Sequence, residues 1–342
     1  MITRLADAQQ IRAQWPRLLA QGWRDPQTLL RALQLDPDLL HGTQAAAARF
    51  PLWVPEPFVA RIQLGDPADP LLRQVLPQAL ELDPGPVGYE TDPTGDQAAT
   101  PCAGVVQKYQ GRALLLATGR CAMHCRYCFR RYYPYPPSLV EPEQQRRVLD
   151  YLQQHEAIEE VILSGGDPLV LPDHHLARFV KRLERIRHLQ RLRIHTRVPV
   201  VLPQRVDAAL LAWLGAGRLE RMMVLHINHA REMDAPVATA LADLHAVGVR
   251  LYNQSVLLRG VNDRADVLMN LSKTLFAHRV EPYYLHLLDR VRGSAHFEVS
   301  VDEARSLLDI LARELPGYLV PRLVKDIQGQ SSKTMICRTH FV

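Results

Sequence analysis

Six short β-prone or apolar runs, at residues 112–118, 160–164, 192–196, 222–228, 250–258 and 282–288, are spaced along the chain with amphipathic stretches between most of them. Strands separated by helix-length segments pair in parallel through right-handed crossovers. The pattern therefore predicts an α/β fold on a parallel sheet, either open or curled into part of a barrel. In such sheets binding and catalytic groups gather at the carboxyl ends of the strands, so the residues that follow each run are the first place to look for chemistry.

The flanks differ from this core. Residues 1–107 read as helical and irregular, with Asp-Pro pairs at Asp25, Asp36, Asp66, Asp69 and Asp92 that suit helix N-caps followed by proline at the first helical position. After the last run, Ser300-Val-Asp-Glu303 is a capping box, Ala304, Leu307, Leu308 and Leu311 follow at helical spacing, and Pro316-Gly317 ends the helix. The tail, 318–342, holds a short apolar run and then Gly329-Gln-Ser-Ser-Lys333-Thr. The chain thus divides into a mainly helical region 1–107, a strand-bearing core 108–290, and a C-terminal helix and tail 291–342.

Composition excludes several classes. The 342 residues suffice for one large core or two modest ones, and 47% hydrophobic with 23% charged residues is ordinary for a folded, water-soluble chain. The first ten residues lack the apolar stretch of a signal peptide, and no uninterrupted apolar run approaches membrane-spanning length, so neither export nor membrane insertion is expected. Five cysteines without a secretory context fit a reducing cytoplasm rather than a disulfide framework. The net charge of +5 suits nucleic acid or, equally, several small anions in one cavity. Its most basic stretch, 178–197, carries Lys181, Arg182, Arg185, Arg187, Arg191 and Arg193, while Leu176, Phe179, Val180, Leu183 and Ile186 form an apolar stripe opposite most of the early charges. With no aromatic residues interleaved, this reads as a solvated amphipathic helix and not as a nucleic-acid surface.

Directly after the first run stands Cys121-Ala-Met-His-Cys125-Arg-Tyr-Cys128, three thiols in a C-x3-C-x2-C spacing. A cubane iron-sulfur cluster takes four cysteine thiolates, so three on one tight loop leave one iron open to another ligand. A zinc site wants four N/S ligands in paired halves, and a ferredoxin-like cluster wants a fourth cysteine. For either, only Cys102 and Cys337 remain, far apart in sequence, and each reads more naturally as a small buried apolar residue. Other strand ends add candidates. Ser164-Gly165-Gly166-Asp167 follows the second run, where two glycines let backbone come close to a ligand. His226 and Asn228 end the fourth run, Asn253, Gln254 and Ser255 lie in the fifth, and Asp289 follows the sixth.

The cysteine spacing resembles the signature of radical S-adenosylmethionine (SAM) enzymes. Residues 121–131 and 164–169, Asn253-Gln-Ser-Val-Leu-Leu-Arg-Gly-Val-Asn-Asp263, Pro282-Tyr-Tyr and Ser331-Ser-Lys333-Thr together resemble the lysine 2,3-aminomutase family. The similarity runs from about Asp66 to the C-terminus and is greatest to the bacterial branch that makes β-lysine for modifying translation elongation factor P. It implies a partial (β/α)6 TIM-like radical SAM barrel with an N-terminal helical region and a C-terminal segment bearing a lysine for pyridoxal 5'-phosphate (PLP). It also implies a 4Fe-4S cluster on Cys121, Cys125 and Cys128, whose open iron would chelate SAM and yield a 5'-deoxyadenosyl radical. The reaction would convert L-lysine to β-lysine, with the R isomer expected.

Residue by residue, the resemblance gives Lys333 the resting Schiff base with PLP, although Gly-Gln-Ser-Ser-Lys departs from the family's usual glycine run. Lys108 and Arg112 would contact the PLP phosphate. Ser164, Gly165, Gly166, Asp167, His226 and Gln254 would contact SAM, and Tyr127 stands where aromatic or histidine residues can pack on adenine. Arg130 would hold the substrate carboxylate, to which a guanidinium is well matched, and Asp289 and Asp326 the ε-ammonium. The implied partners are a reductant such as flavodoxin or ferredoxin, elongation factor P and its β-lysyl ligase. Clostridial-type members continue well beyond the PLP lysine and carry cysteines for a structural zinc, whereas Arg264 stands at one of those positions here. Two rivals remain: another 2,3-aminomutase, of catabolic lysine or glutamate type, and a non-catalytic iron-sulfur or zinc protein that binds translation components through its basic surface. A glutamate substrate would bring a second carboxylate against Asp289 and Asp326.

Overall fold

The computed structural model describes residues 14–337, so the reading of the first ten residues lies outside the described part. Among the described residues nine strands form one sheet in chain order: β1 (Val105–Val106), β2 (Arg112–Thr118), β3 (Glu160–Gly165), β4 (Arg191–Thr196), β5 (Glu220–Leu225), β6 (Arg250–Val256), β7 (Val280–His286), β8 (Arg322–Lys325) and β9 (Thr334–Met335). From β2 to β8 every pairing is parallel, and the two-residue strands β1 and β9 finish the edges antiparallel. Among the described residues β9 does not pair back to β1, so the sheet is part of a barrel and not a closed one.

Helices fill the crossovers, as the alternation requires: Pro142–Gln154, Asp173–Leu183, Ala208–Leu214, Ala235–Ala246, Ala265–Ala277 and Val301–Glu314. The basic helix Asp173–Leu183 buries Leu176, Phe179, Val180 and Leu183 and leaves Arg178 and Lys181 exposed, the amphipathic arrangement its spacing predicts. The rest of the basic stretch is not a solvated helix: Arg191 and Arg193 lie in β4, Arg193 lines the cavity and Arg197 is buried, because the chain turns back into the sheet after Leu183. Ser300 and Glu303 form the expected capping box, and the helix that they start stops at Glu314, short of Pro316. Among the described residues no helix is long and apolar enough to cross a membrane.

The six runs become β2 to β7 with ends shifted by up to three residues, and two differences bear on the site. The fourth run stops pairing at Leu225, so His226 and Asn228 lie in the loop beyond the strand and not at its end. A seventh parallel strand, β8, pairs with β7 although only Leu323 and Val324 of its four residues are buried. In the N-terminal region, Asp25, Asp36 and Asp69 cap helices as expected. Asp66 and Asp92 instead tie loops, Asp66 accepting from Ala68 N at 2.9 Å and Asp92 from Asp96 N and Gln97 N at 3.0 Å.

Alternation along the strands builds the cavity. Successive residues of a strand point to opposite faces. Arg112 and Leu114, Ile162 and Ser164, Arg193 and His195, Gln254 and Val256, and Tyr284 and His286 all line one cavity. On the other face Leu115, Val161, Leu163, Leu192 and Ile194 join the main core, which also takes in Leu29, Leu30, Phe58, Leu71 and Leu72 of the N-terminal region. Burying each such side chain contributes roughly 1.5–3 kcal/mol. A second core cluster, with Leu285, Leu308, Leu311 and Leu323, fastens the helix Val301–Glu314 onto β7 and β8.

Candidate active site

The cavity encloses about 600 Å³, within the usual range for a small-molecule site. The fifteen residues given roles by the resemblance line it: Lys108, Arg112, Cys121, Cys125, Cys128, Arg130, Ser164, Gly165, Gly166, Asp167, His226, Gln254, Asp289, Asp326 and Lys333. Tyr127 lines it too, whereas the strand-end candidates Asn228, Asn253 and Ser255 do not: Asn253 and Ser255 donate to Ile227 O, and Asn228 donates to Gln74 Oε1 and the Tyr127 hydroxyl.

The cysteine loop leaves β2 and is fixed from two sides. From the N-terminal region, Trp53 O accepts from His124 N at 2.9 Å, Gln74 O accepts from Arg126 N at 2.9 Å, and Glu81 pairs with the fully buried Arg126 guanidinium at 2.5 Å. From β3, Gly166 N donates to Thr118 O at 2.7 Å and Asp167 N to Arg120 O at 2.8 Å. A Cβ on Gly165 would lie 2.5 Å from Thr118 O, and one on Gly166 2.2 Å from Arg120 O. The close approach these glycines serve is therefore to the cysteine loop, besides the cavity that they border.

Burial pushes the Cys128 thiol up to about 11 and Cys121 well above its ordinary value, so metal uptake here would release protons. Among the described residues no three His, Cys, Asp or Glu side chains converge closely enough for a single ion. A tetrahedral zinc would draw its thiolates to within about 4 Å of one another, whereas a four-iron cluster gives each thiolate its own iron. The two remaining cysteines are elsewhere. Cys102 packs partly buried against the main core, and Cys337 is exposed, contrary to the expectation that both are buried.

Beside this loop, His226 stacks on Tyr127 with ring centroids 5.7 Å apart, and its Nε2 lies 3.2 Å from the tyrosine hydroxyl. Burial, with Arg197 nearby, lowers its pKa well below the ordinary value, so the imidazole is neutral. The Asp167 carboxylate accepts from Thr196 Oγ1 at 2.7 Å, Arg197 N at 2.8 Å and Leu169 N at 3.0 Å, which ties the end of β3 to that of β4. Burial raises its pKa to about 6 against those hydrogen bonds.

The opposite side of the cavity gathers charge. Lys333 Nζ donates to Asp326 Oδ2, while the Tyr109 hydroxyl donates to Asp326 Oδ1 at 2.7 Å. Burial works against the Asp326 charge, but Lys333 and Tyr109 together hold its pKa below the usual carboxylate value. Asp289 is half-buried and raised to about 7, chiefly by desolvation and then by Asp326, with Lys333 opposing. Arg112 stacks on Tyr109 at 4.6 Å.

Sequence reasoning missed Asp96, which is 2% exposed and bridges Arg130 Nε at 2.7 Å and Lys108 Nζ at 2.5 Å. Arg130 Nη1 also donates to Ser164 Oγ at 3.2 Å. His195 and His286 were missed too. Each has a buried Nε2 without a hydrogen-bond partner, and burial drives His195 well below its ordinary pKa and His286 to about 3. Unpaired polar atoms beside a cavity fit a site that receives a polar cofactor or substrate. The alternation Arg193-Ile194-His195 in a strand whose other face is apolar was the signal available for His195.

A model of the radical SAM superfamily matches residues 115–271. L-lysine 2,3-aminomutase of Haemophilus influenzae is 46% identical over 321 residues, covering 94% of this chain and 95% of that protein. The enzyme of the same name from Escherichia coli is 47% identical over 325 residues, covering 94% of each. The L-lysine 2,3-aminomutase of Clostridium subterminale is 34% identical over 294 residues, covering 83% of this chain and 68% of that one.

Proposed function

Because the chain belongs to the lysine 2,3-aminomutase family of radical SAM isomerases, we propose a division of its cavity among cluster, SAM, PLP and lysine. Cys121, Cys125 and Cys128 hold the cluster. Ser164, Gly165, Gly166, His226 and Gln254 border the SAM position, and Asp167 acts by fixing the ends of β3 and β4. Lys333 carries PLP, with Lys108 and Arg112 beside its phosphate. When bound, the cluster and SAM supply a carbon radical that removes a C3 hydrogen, and PLP supplies a π-system that shares the unpaired electron while nitrogen moves from C2 to C3.

The chain's own residues then have three tasks. Arg130 holds the substrate carboxylate. Asp96 and Ser164 occupy its Nε and Nη1, which fixes the guanidinium plane and leaves Nη2 for the substrate. Asp289 and Asp326 hold the ε-ammonium, and the Lys333 ammonium on Asp326 marks where a cation belongs. Committing Lys333 to PLP frees Asp326 for the substrate. Neutral His195 and His286 offer uncharged hydrogen-bonding edges to whatever fills the middle.

The observation that carries this reading is the Lys333–Asp326 pair in the same cavity as the three cysteines and Asp289. The product is (R)-β-lysine and its destination elongation factor P, a part of the proposal that rests on the motif resemblance to that bacterial branch. Anaerobic reconstitution with iron, sulfide and PLP, reduction of the cluster with dithionite, and addition of SAM and L-lysine, followed by chiral chromatography of the products, tests the reaction. The expected result is (R)-β-lysine. The S isomer would remove the stereochemical assignment, and unchanged lysine from protein with full cofactor content would remove the proposal.

A further inference from the structure

The functions assigned above give no role to the buried cation that lies against the cysteine loop from β4. Arg197, 8% exposed, follows β4 at the end of the stretch that reads from sequence as a solvated basic face. Its Nη1 lies 3.0 Å from Cys125 Sγ and 2.6 Å from the Tyr127 hydroxyl. Its Nη2 lies 2.6 Å from Gln74 Oε1 and 2.9 Å from Glu232 Oε2. The guanidinium is thus locked between the cysteine loop and a carboxylate that is itself fixed. Glu232 is fully buried and accepts from Asn228 N at 3.0 Å, His229 N at 3.1 Å and Gln74 Nε2 at 3.1 Å.

We propose that the Arg197–Glu232 pair sets the reduction potential of the cluster through Cys125 Sγ, Arg197 raising it and Glu232 moderating that effect. Hydrogen bonds to the ligating sulfurs and net charge nearby are among the main determinants of cluster potential. A positive donor against a thiolate favours the reduced cluster, which carries one more negative charge, and charges act strongly where water is excluded. The electron enters from an external one-electron reductant of the flavodoxin or ferredoxin class. It leaves to the SAM sulfonium, where the S–C5' bond breaks to give methionine and the deoxyadenosyl radical. A cluster too hard to reduce accepts no electron, and one too easily reduced does not pass it on. Arg197 is therefore a positioning and tuning residue, distinct from the groups that touch substrate.

The proposal rests on the reading that Cys125 ligates a cluster, and iron and sulfide analysis of the reconstituted parent checks that reading first. A parent that takes up no four-iron cluster overturns that reading and this inference with it. The inference itself is tested by EPR-monitored redox titration of parent, Arg197→Gln and Glu232→Gln, each reconstituted anaerobically with iron and sulfide alone. The expected shifts have opposite signs. At the parent's midpoint potential, the ratio of reduced to oxidised cluster falls about tenfold in Arg197→Gln and rises in Glu232→Gln, a tenfold change being about 59 mV for one electron. Arg197→Lys keeps the charge but not the fork, so it shifts the same way as Arg197→Gln by less, and it carries the test should Arg197→Gln not fold. A purely structural role would change cluster content without this ordered pair of shifts. Unchanged potentials, or shifts in one direction for both substitutions, would overturn the inference.

Discussion

In the proposed site, Asp289 is the side chain whose protonation would couple most directly to substrate. Half-buried and next to Asp326, it is raised from 3.8 to about 7, so the free site holds it largely protonated below neutrality. A lysine ε-ammonium favours the ionised form, so binding below about pH 7 releases a proton and tightens as the pH rises through that value. The sign for stability is the reverse. Between pH 3.8 and about 7 the folded state retains a proton that the unfolded chain has lost, so this stabilising contribution is complete below 3.8 and gone once the pH passes 7. In Asp289→Asn both dependences should vanish: the pH profile of lysine affinity, compared with that of parent holoenzyme, loses its rise near 7. Affinity itself should fall by one to two decades, the loss of a charged hydrogen bond of about 1.5–3 kcal/mol. A variant with the parent's profile would take Asp289 out of the ammonium site. At Lys333 the expectation is covalent: borohydride treatment of PLP-loaded protein should fix the cofactor there, as peptide mass mapping would show, and label on another lysine would displace that assignment.

Among elements, the junction of β3 with the cysteine loop is the point of least tolerance. Gly166→Ala would force a methyl against Arg120 O, a backbone atom that cannot swing away, at a cost of about 1–3 kcal/mol for an overpacked site. Reconstituted Gly166→Ala should hold less iron and melt lower than the parent, while Gly317→Ala, with nothing within 4 Å and no strained angle, should match it. Full iron content in Gly166→Ala would show that the loop tolerates displacement. The strands and helices around this junction were legible because burial on both faces demands apolar runs, and one-sided burial demands stripes. The fourth run overshot its strand because buried Ile227 continues the apolar pattern after pairing has ended. β8 escaped because four residues, two of them buried, give no periodicity to read. Asp96 and Arg197 escaped for another reason: their importance lies in partners such as Arg130 and Glu232, 34 and 35 residues distant, and a charged residue read alone is an exposed one.

For the whole molecule, the fold brings residues of every recognised motif around one cavity, so the expected chemistry is local and the cellular role is not. In the proposed role, elongation factor P would meet the free product through its ligase, not this enzyme. The dependence is therefore metabolic and can be bypassed. Deleting the gene should leave elongation factor P without its β-lysyl group, read as the absence of the corresponding mass increment on the intact factor. Feeding (R)-β-lysine to the deletion strain should restore the increment, and re-expressing Lys333→Ala should not. An adduct that persists without added β-lysine would detach the enzyme from this pathway while leaving its chemistry intact. Failure of β-lysine feeding, alongside rescue by the parent gene, would mean that the factor receives the product in a form other than the free amino acid, and that this chain must act in contact with the ligase.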